Sequence, residues 1–525
     1  MTLNSELTRA LDLALEKSGS IQLNHGIEKE ALRITRDGYL SREPHPSELG
    51  AALTHPSITT DFSESQLEFV TRVHSSVEDC LQELDDIHRF VYGVIERERL
   101  WPASMPCMLR SESSIPIALY GSSNSGRIKT IYRQGLANRY GRYMQSISGL
   151  HYNFSISDEL WESLANVRGV ADSQEFRNSE YLSLIRNFQR IAWLPIYLFG
   201  ASPAVCGSFV ATTSNHGLQE LDGESFYLPH ATSLRQGSLG YQSAAQSSHY
   251  ISYNSLCEYS THMVDALTRP FHTYEKIGLK SEDGEYKQLS TSLLQIEAEC
   301  YGSIRPKPKA HSGPRPLEQL NSGGIEYLEV RCLDLNPFLR TGIDSETAHF
   351  LDALLLFAWL KPGYEDSRSS WKEIQENQST TVGNGRDPNA VLTFQGSPRK
   401  LRDWAMELLN ELEQVCDTMD SGCAAGDYRS ALETQRQKVL DPLKTPSAQI
   451  LARMAQERKS YYRLIDTLAN QHQHEYLNNP LDPVRIQEFE RMAEESVVRQ
   501  REIEESETQT FEEHLNSYMH LSMNS

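Results

Sequence analysis

Three short stretches repeat one arrangement, and no other feature of the chain restricts its fold as strongly. Each reads as a β-strand that carries polar or charged residues two positions apart. They are 26–32 (GIEKEAL), 149–154 (GLHYNF) and 323–331 (GGIEYLEVR). Residues two apart on a strand share a face. Glu28 with Glu30, His151 with Asn153, and Glu329 with Arg331 therefore point the same way within each strand. Leu150, Tyr152 and Phe154, or Leu328 and Val330, occupy the opposite faces and suit a core. A sheet that gathers these segments has one apolar face and one face dense in carboxylates. Such a face repels itself unless cations fill it, so the pattern predicts a divalent-metal site built on a sheet.

The 525 residues are enough for a large core, in one lobe or more. The net charge of −21 argues against binding to nucleic acid or to an anionic membrane. Any nucleotide would need metal ions or a local basic patch to offset that repulsion. The eight cysteines form no CxxC pair and no zinc-spaced cluster with histidine. The N-terminal stretch MTLNSELTRALDLALEKSGS has no signal-peptide core. Reduced thiols and a cytoplasmic location are the expectation. Residues 191–212 (IAWLPIYLFGASPAVCGSFVAT) are uncharged over about the length of a bilayer, but Pro195, Gly200 and Pro203 favour a buried helix ending in a tight turn.

Periodicity predicts helices over 3–18, 76–98, 170–195 and 255–277, with an Asp37-Gly38 hairpin turn after the first strand. The run 305–313 (RPKPKAHSG) reads as a flexible loop. Beyond about residue 345 the chain reads as helices joined by polar linkers, one at 376–390, with a charged helical tail over 482–518 whose carboxylates fit a solvated face. No internal repeat and no regular βαβ rhythm is present. The expected class is α+β, with a mainly antiparallel sheet flanked by helices. The expected division is a core over 1–344 and a mainly helical region over 345–525 packed on it.

Glu28, Glu30, Asp61, Glu68, His151, Asn153 and Glu329 make up the proposed acidic face. Six oxygen donors and one imidazole suit magnesium or manganese better than zinc. Singly, each also fits a solvated strand face. Arg331 would clamp a transferring phosphoryl group beside Glu329, or simply pair with it. Residues 121–127 (GSSNSGR) imitate a phosphate loop, but Arg127-Ile128 replaces its lysine and its hydroxyl residue, so a P-loop is not expected. The run that follows, Arg127, Lys129, Tyr132, Arg133, Arg139, Tyr140 and Arg142, fits either an anionic-ligand contact or a helix with solvated cations.

With their connecting sequence, these segments resemble bacterial glutamate–cysteine ligase of the γ-proteobacterial type. The matching strings include GIEKEALRI at 26–34, ALTHPSITTDFSESQLEFVT at 52–71, LYGSSNSGRIKTIYRQGLANRYG at 119–141, MQSISGLHYNFS at 144–155, LPHATSLRQGSLGY at 228–241 and GGIEYLEVRCLDLNPF at 323–338. The resemblance covers most of residues 20–340. It implies a glutamine-synthetase-like funnel with the acidic face inside. It also implies phosphorylation of the glutamate side-chain carboxylate by ATP, followed by attack of the cysteine amine. By position it implies that the seven residues of the acidic face hold Mg²⁺ and that Arg331 stabilises the transferring phosphoryl group. Arg235 would bind a substrate carboxylate, and Phe62, Tyr132, Tyr241 and Tyr301 would wall the cysteine pocket. Arg133 would meet charge near the acyl phosphate. The substrates are then L-glutamate, L-cysteine and ATP, with a monomer expected. A ligase of the same fold using a different amine, or an amino-acid kinase, are the alternatives.

Overall fold

The structure, a computed structural model, describes residues 4–521 apart from 107, 212–215, 241–244, 247–248, 310–314 and 423–425. At its centre seven described strands form one antiparallel sheet. They are β1 (Leu23–Thr35), β2 (Ile58–Thr60), β3 (Gln66–Val70), β4 (Glu98–Leu100), β5 (Leu150–Ile156), β6 (Ile304–Lys307) and β7 (Tyr327–Leu333). The order is β2-β3-β1-β5-β7-β6, with β4 paired to the far end of β1.

Register places the polar pairs on one face. Glu28 lies opposite His151 across β1 and β5, Glu329 opposite Asn153 across β7 and β5, and Glu30 opposite Glu68 across β1 and β3. The other face is apolar. Ile27, Ala31, Leu67, Phe69, Tyr152, Phe154, Leu328 and Val330 form one buried cluster with Leu84 and Ile87 of helix α1 (Val77–Val94) and with Leu351 and Leu355 of a second helix (Ser345–Leu360). Burying each such side chain contributes on the order of 1.5–3 kcal/mol. Polar ties fix that second helix on the sheet. Asp352 accepts a hydrogen bond from the Tyr152 hydroxyl at 2.8 Å and lies 2.9 Å from His25 Nε2. Lys29, between the two glutamates of β1, turns to this apolar face and reaches His88 Nε2 at 2.6 Å. Burial there pulls its amine down to about 7.

Local signals set most boundaries as expected. Ser76 accepts from the amide of Asp79 to start α1, and Asp344 accepts from Thr347 to start the apolar helix, as N-caps do. Gly38 takes φ 79° in the turn after β1. The uncharged stretch at 191–212 begins as the buried helix Trp193–Phe199, which ends at Gly200 before the strand Ala204–Cys206. Among the described residues no helix is long and apolar enough to cross a membrane.

Three segments differ from their sequence reading. Residues 305–307, expected to begin a flexible loop, belong to the edge strand β6, where Pro306 is tolerated because an edge position can spare an amide donor. The polar run from 376 is not a linker at its start, since the helix Arg368–Asn384 continues through it, opened by a capping box between Ser367 and Ser370. The charged tail forms the helices Pro483–Ser506 and Phe511–Met519, yet Glu504 and Glu507 are not merely solvated. They accept hydrogen bonds from the backbone amides of Ser122 and Asn124.

Candidate active site

The acidic face divides into two parts. In the first, Glu28, His151 and Glu329 bring potential ligand atoms within 4.8 Å of one another. His151 Nδ1 is 3.3 Å from Glu28 Oε2 and 3.4 Å from Glu329 Oε1. Asn153 donates from Nδ2 to Glu28 Oε1 at 3.0 Å. Arg331 donates to Glu329 Oε1 at 3.0 Å, with Lys307 Nζ 3.5 Å from the same oxygen and Arg305 Nη1 3.7 Å from Oε2. Burial alone would raise Glu329, but Arg331, Lys307 and Arg305 outweigh it and hold the carboxyl well below its usual range. Glu28 is lowered too: burial is the largest influence and would raise it, but Lys307 and His151 together outweigh burial and the repulsion of Glu329. Burial, and then Arg331, lower His151, which favours a neutral imidazole. The other ring nitrogen of His151, Nε2, lies 4.0 Å from Glu30 Oε1.

The second part is Glu30, Asp61 and Glu68. Here burial and mutual repulsion act together. Burial, then Asp61, push Glu30 up to about 8, and burial with Asp61, Glu28 and Glu30 raises Glu68 well above the carboxylate range. Glu30 accepts from the Gly149 amide at 2.7 Å. Gly149 leaves room for the Arg235 guanidinium: a Cβ there would lie 2.1 Å from Arg235 Nη2 and would force Arg235 to move. Arg235 donates through Nη1 and Nη2 to the carbonyl of Arg331, both at 3.2 Å, where a β-bulge interrupts the pairing of β7 with β5. One glycine thus lets a carboxylate and a guanidinium share the end of β5.

A helix over Asn124–Tyr140, labelled α2, covers this second part. Ser123 caps it by accepting from Gly126. Arg133 donates from Nε to the Asp61 carbonyl and stacks over the Tyr120 ring, 4.5 Å from its centroid. Tyr120 in turn donates its hydroxyl to the carbonyls of Thr60 and Asp61. The other cations of the run mostly serve structure. Arg139 forms a fully buried pair with Glu299 at 3.0 Å, Arg142 donates to the Ile115 carbonyl, and Arg127 stacks on Phe511.

A cavity of 160 Å³ lies next to the first part. It is lined by Arg331, Arg235, Tyr301, Gln246 and Cys300, and also by Trp371, Gln375 and Gln378 from the helix Arg368–Asn384. Of the expected aromatic wall, Tyr301 lines this cavity. Phe62, 1 % exposed, sits in a separate apolar cluster with Trp101 and Ile147, against which Tyr132 packs. Tyr241 lies outside the described residues.

Arg305, Lys307 and the cavity-lining face of the helix Arg368–Asn384 were not singled out in the sequence. Arg305 and Lys307 carry the same two-apart spacing as the other strands, obscured by the prolines between and after them. Trp371, Gln375 and Gln378 have helical spacing, obscured by the polar composition around them.

The donor set fits a hard divalent cation. Asn153 Oδ1 and Glu329 Oε2 are buried and accept no hydrogen bond, and both belong to the carboxylate, amide and imidazole group that such an ion takes.

A model of the glutamate-cysteine ligase family matches residues 11–381. The chain is 44% identical over 498 residues to the glutamate–cysteine ligase of Pseudomonas putida, covering 95% of this chain and 94% of that one. It is 44% identical over 496 residues to the glutamate–cysteine ligase of Saccharophagus degradans, covering 94% and 93%. Among solved structures it resembles the glutamate–cysteine ligase of Francisella tularensis in complex with AMP. There the TM-score is 0.89 at 35% identity, over 95% of this chain and 98% of that one. A bifunctional glutathione synthetase from Pasteurella multocida gives a TM-score of 0.69 at 25% identity, over 90% of this chain and 54% of that one.

Proposed function

The chain belongs to the glutamate–cysteine ligase family, and on that premise we propose that it joins the side-chain carboxylate of L-glutamate to the amino group of L-cysteine, with ATP as co-substrate, as the first step of glutathione biosynthesis. The observation that carries the site assignment is the gathering of Glu28, His151 and Glu329 on one sheet face with the Arg331 guanidinium 3.0 Å from Glu329.

Glu28, Glu30, Asp61, Glu68, His151, Asn153 and Glu329 would hold Mg²⁺ or Mn²⁺. Bound there, the ion supplies charge neutralisation between carboxylate substrate and triphosphate and alignment of the in-line displacement. The remaining steps fall to the chain's own residues. Arg331, fixed by Glu329 and by strand β7, presents its guanidinium to the phosphoryl group as an oxygen of the glutamate side chain bonds to the γ-phosphorus and ADP leaves. Arg235 would bind a substrate carboxylate, its guanidinium held by two bonds to the Arg331 carbonyl. The neutral amino group of cysteine then bonds to the acyl carbon, phosphate departs with the electrons of the broken C–O bond, and the proton lost from the nitrogen ends on the leaving phosphate or in water. Arg133 would stabilise charge on that leaving phosphate. Tyr301, Tyr132, Phe62 and Tyr241 would shield the acyl phosphate from water until the amine arrives. A cytoplasmic location and a monomeric state belong to the same proposal.

The test is phosphate release with Mg²⁺ and ATP. Glutamate alone should release phosphate slowly. Added cysteine should raise the rate and yield γ-glutamylcysteine in equal amount. 2-Aminobutyrate should also react, because the thiol is not the nucleophile. Steady ADP formation from glutamate that ignores cysteine would overturn this reading in favour of a kinase.

A further inference from the structure

The loop that imitates a phosphate loop is already filled by the protein itself. Ser122 donates its amide to Glu504 Oε1 at 2.8 Å, and Asn124, at the start of α2, donates its amide to Glu507 Oε1 at 2.5 Å. The Asn124 side chain donates to the Gln509 carbonyl at 3.0 Å. Gly121 is packed under the same segment: a Cβ there would lie 2.3 Å from both Gln500 Nε2 and Glu504 Oε1, and its φ is +79°. These contacts put two carboxylates at the positive end of a helix, which is favourable electrostatically.

The contact continues along the helix. The Arg127 guanidinium lies 3.9 Å from the centroid of the Phe511 ring. Phe511 and Leu515 are buried with Ile128 and Leu289 in a small apolar cluster, and Tyr132 packs against it. On its other side the same helix carries Arg133 to the Asp61 carbonyl. Near its end Tyr140 donates to Glu299 Oε1 at 2.6 Å, and Glu299 Oε2 accepts from the Gln295 amide at 2.6 Å, just before Tyr301. The carboxyl-terminal segment therefore grips the start and one side of a helix that carries Arg133 on its other side and Tyr132 packed between this cluster and that of Phe62.

We propose that the segment from Glu504 to Tyr518 is a strap that positions α2, and through it Tyr132 and Arg133, so that phosphoryl transfer stays coupled to attack by the second amino acid. This rests on the reading of Tyr132 as a wall of the pocket for that amine and of Arg133 as the group that meets charge on the leaving phosphate. Glu504, Glu507 and Phe511 are positioning residues and touch no reacting atom. Glu504 and Glu507 lie more than 380 residues along the chain from the amides they hold, so only the folded protein brings strap and helix together. Displacements well under the width of an atom at a reacting group can cost roughly tenfold to a hundredfold.

The experiment uses the full-length chain with Glu507→Ala, Phe511→Ala and the two combined, beside Glu507→Gln. Amide hydrogen exchange over residues 122–133 reads the grip on the helix. The KM for cysteine and the ratio of phosphate to peptide read the coupling. In the double variant, exchange at 122–133 should rise, the cysteine KM should increase on the order of tenfold, and phosphate should exceed peptide. The glutamate KM and the Mg²⁺ concentration for half-maximal activity should not move. Glu507→Gln should behave as the parent, since its amide oxygen still accepts from Asn124. Unchanged exchange and coupling overturn the strap. Loosened exchange with coupling intact overturns the placement of Tyr132 and Arg133 at the site of acyl transfer. A parallel rise in glutamate and cysteine KM that tracks a fall in Tm, in the single Glu507→Ala variant as in the double, reduces the segment to general structural support and overturns the proposal.

Discussion

The two parts of the acidic face have similar carboxylate content and opposite electrostatics. Around Glu28 and Glu329, Arg331, Lys307 and Arg305 compensate the charge, and both carboxyls are held ionised. Around Glu30, Asp61 and Glu68 burial and repulsion dominate, and Glu30 and Glu68 are pushed toward the protonated form. Under the proposed metal assignment, an ion would meet carboxylates already ionised on one side and would displace protons from Glu30 and Glu68 on the other. The proposed metal ligands therefore differ in what they contribute. The first group would fix the ion's position, and the second would hold the repulsion that ion binding relieves.

The largest expected effect breaks the preassembled side. Glu329→Gln keeps shape but removes the charge that three cations converge on. Turnover at saturating Mg²⁺ should fall well beyond the roughly 100-fold typical of losing a supporting residue, with little change in Tm. Near-parental phosphate release from this variant would remove Glu329 from the metal site. Next is Arg331→Lys. Lysine retains charge but cannot reproduce the guanidinium fork, so kcat should drop roughly 100-fold while the glutamate KM stays close to the parent's. A kcat within a few-fold of the parent would leave Arg331 as a plain partner of Glu329.

The third prediction sharpens the contrast through protons. At pH 7 Glu30, with a pKa near 8 against an unfolded value of 4.5, is mostly protonated, so Mg²⁺ binding should release protons into a weakly buffered solution. Release should decline above pH 8. The sign for stability follows. A carboxyl raised on folding stabilises the metal-free protein below about 4.5, and that contribution is lost as pH rises through about 8. Mg²⁺ should therefore raise Tm more at pH 8 than at pH 6, and Glu30→Gln should diminish both effects. Equal Mg²⁺ stabilisation at the two pH values would contradict the contrast drawn here. A smaller effect is expected of Lys307→Met, which removes one of three compensating cations. The metal-free protein should lose about 1–3 kcal/mol in urea unfolding, and Mg²⁺ should recover part of it. Smallest of all, Cys300→Ala and Cys332→Ala should retain ligase activity. Burial raises both thiols, Cys332 to about 12, so neither is a ready nucleophile. Complete loss of turnover in either folded variant would point to covalent catalysis.

Much of this was legible in the chain itself. The period-two spacing of Glu28 and Glu30, His151 and Asn153, and Glu329 and Arg331 requires that each pair share a face, because alternation is a local property of a strand. Hydrophobic runs and caps placed most helices for the same local reason, and length with specificity of strings such as GLHYNFS carried the family resemblance. The tertiary structure decided what depends on distant register. It put Glu30 opposite Glu68, set Lys307 and Arg305 beside Glu329, and folded the tail onto the start of α2. Which carboxylates are ionised was likewise beyond the sequence, since glutamates identical in composition diverge only through burial and the charges packed around them. Local pattern determines which side chains face together along one strand. Only the assembled sheet determines which strands meet, and with them the charge each residue has to bear.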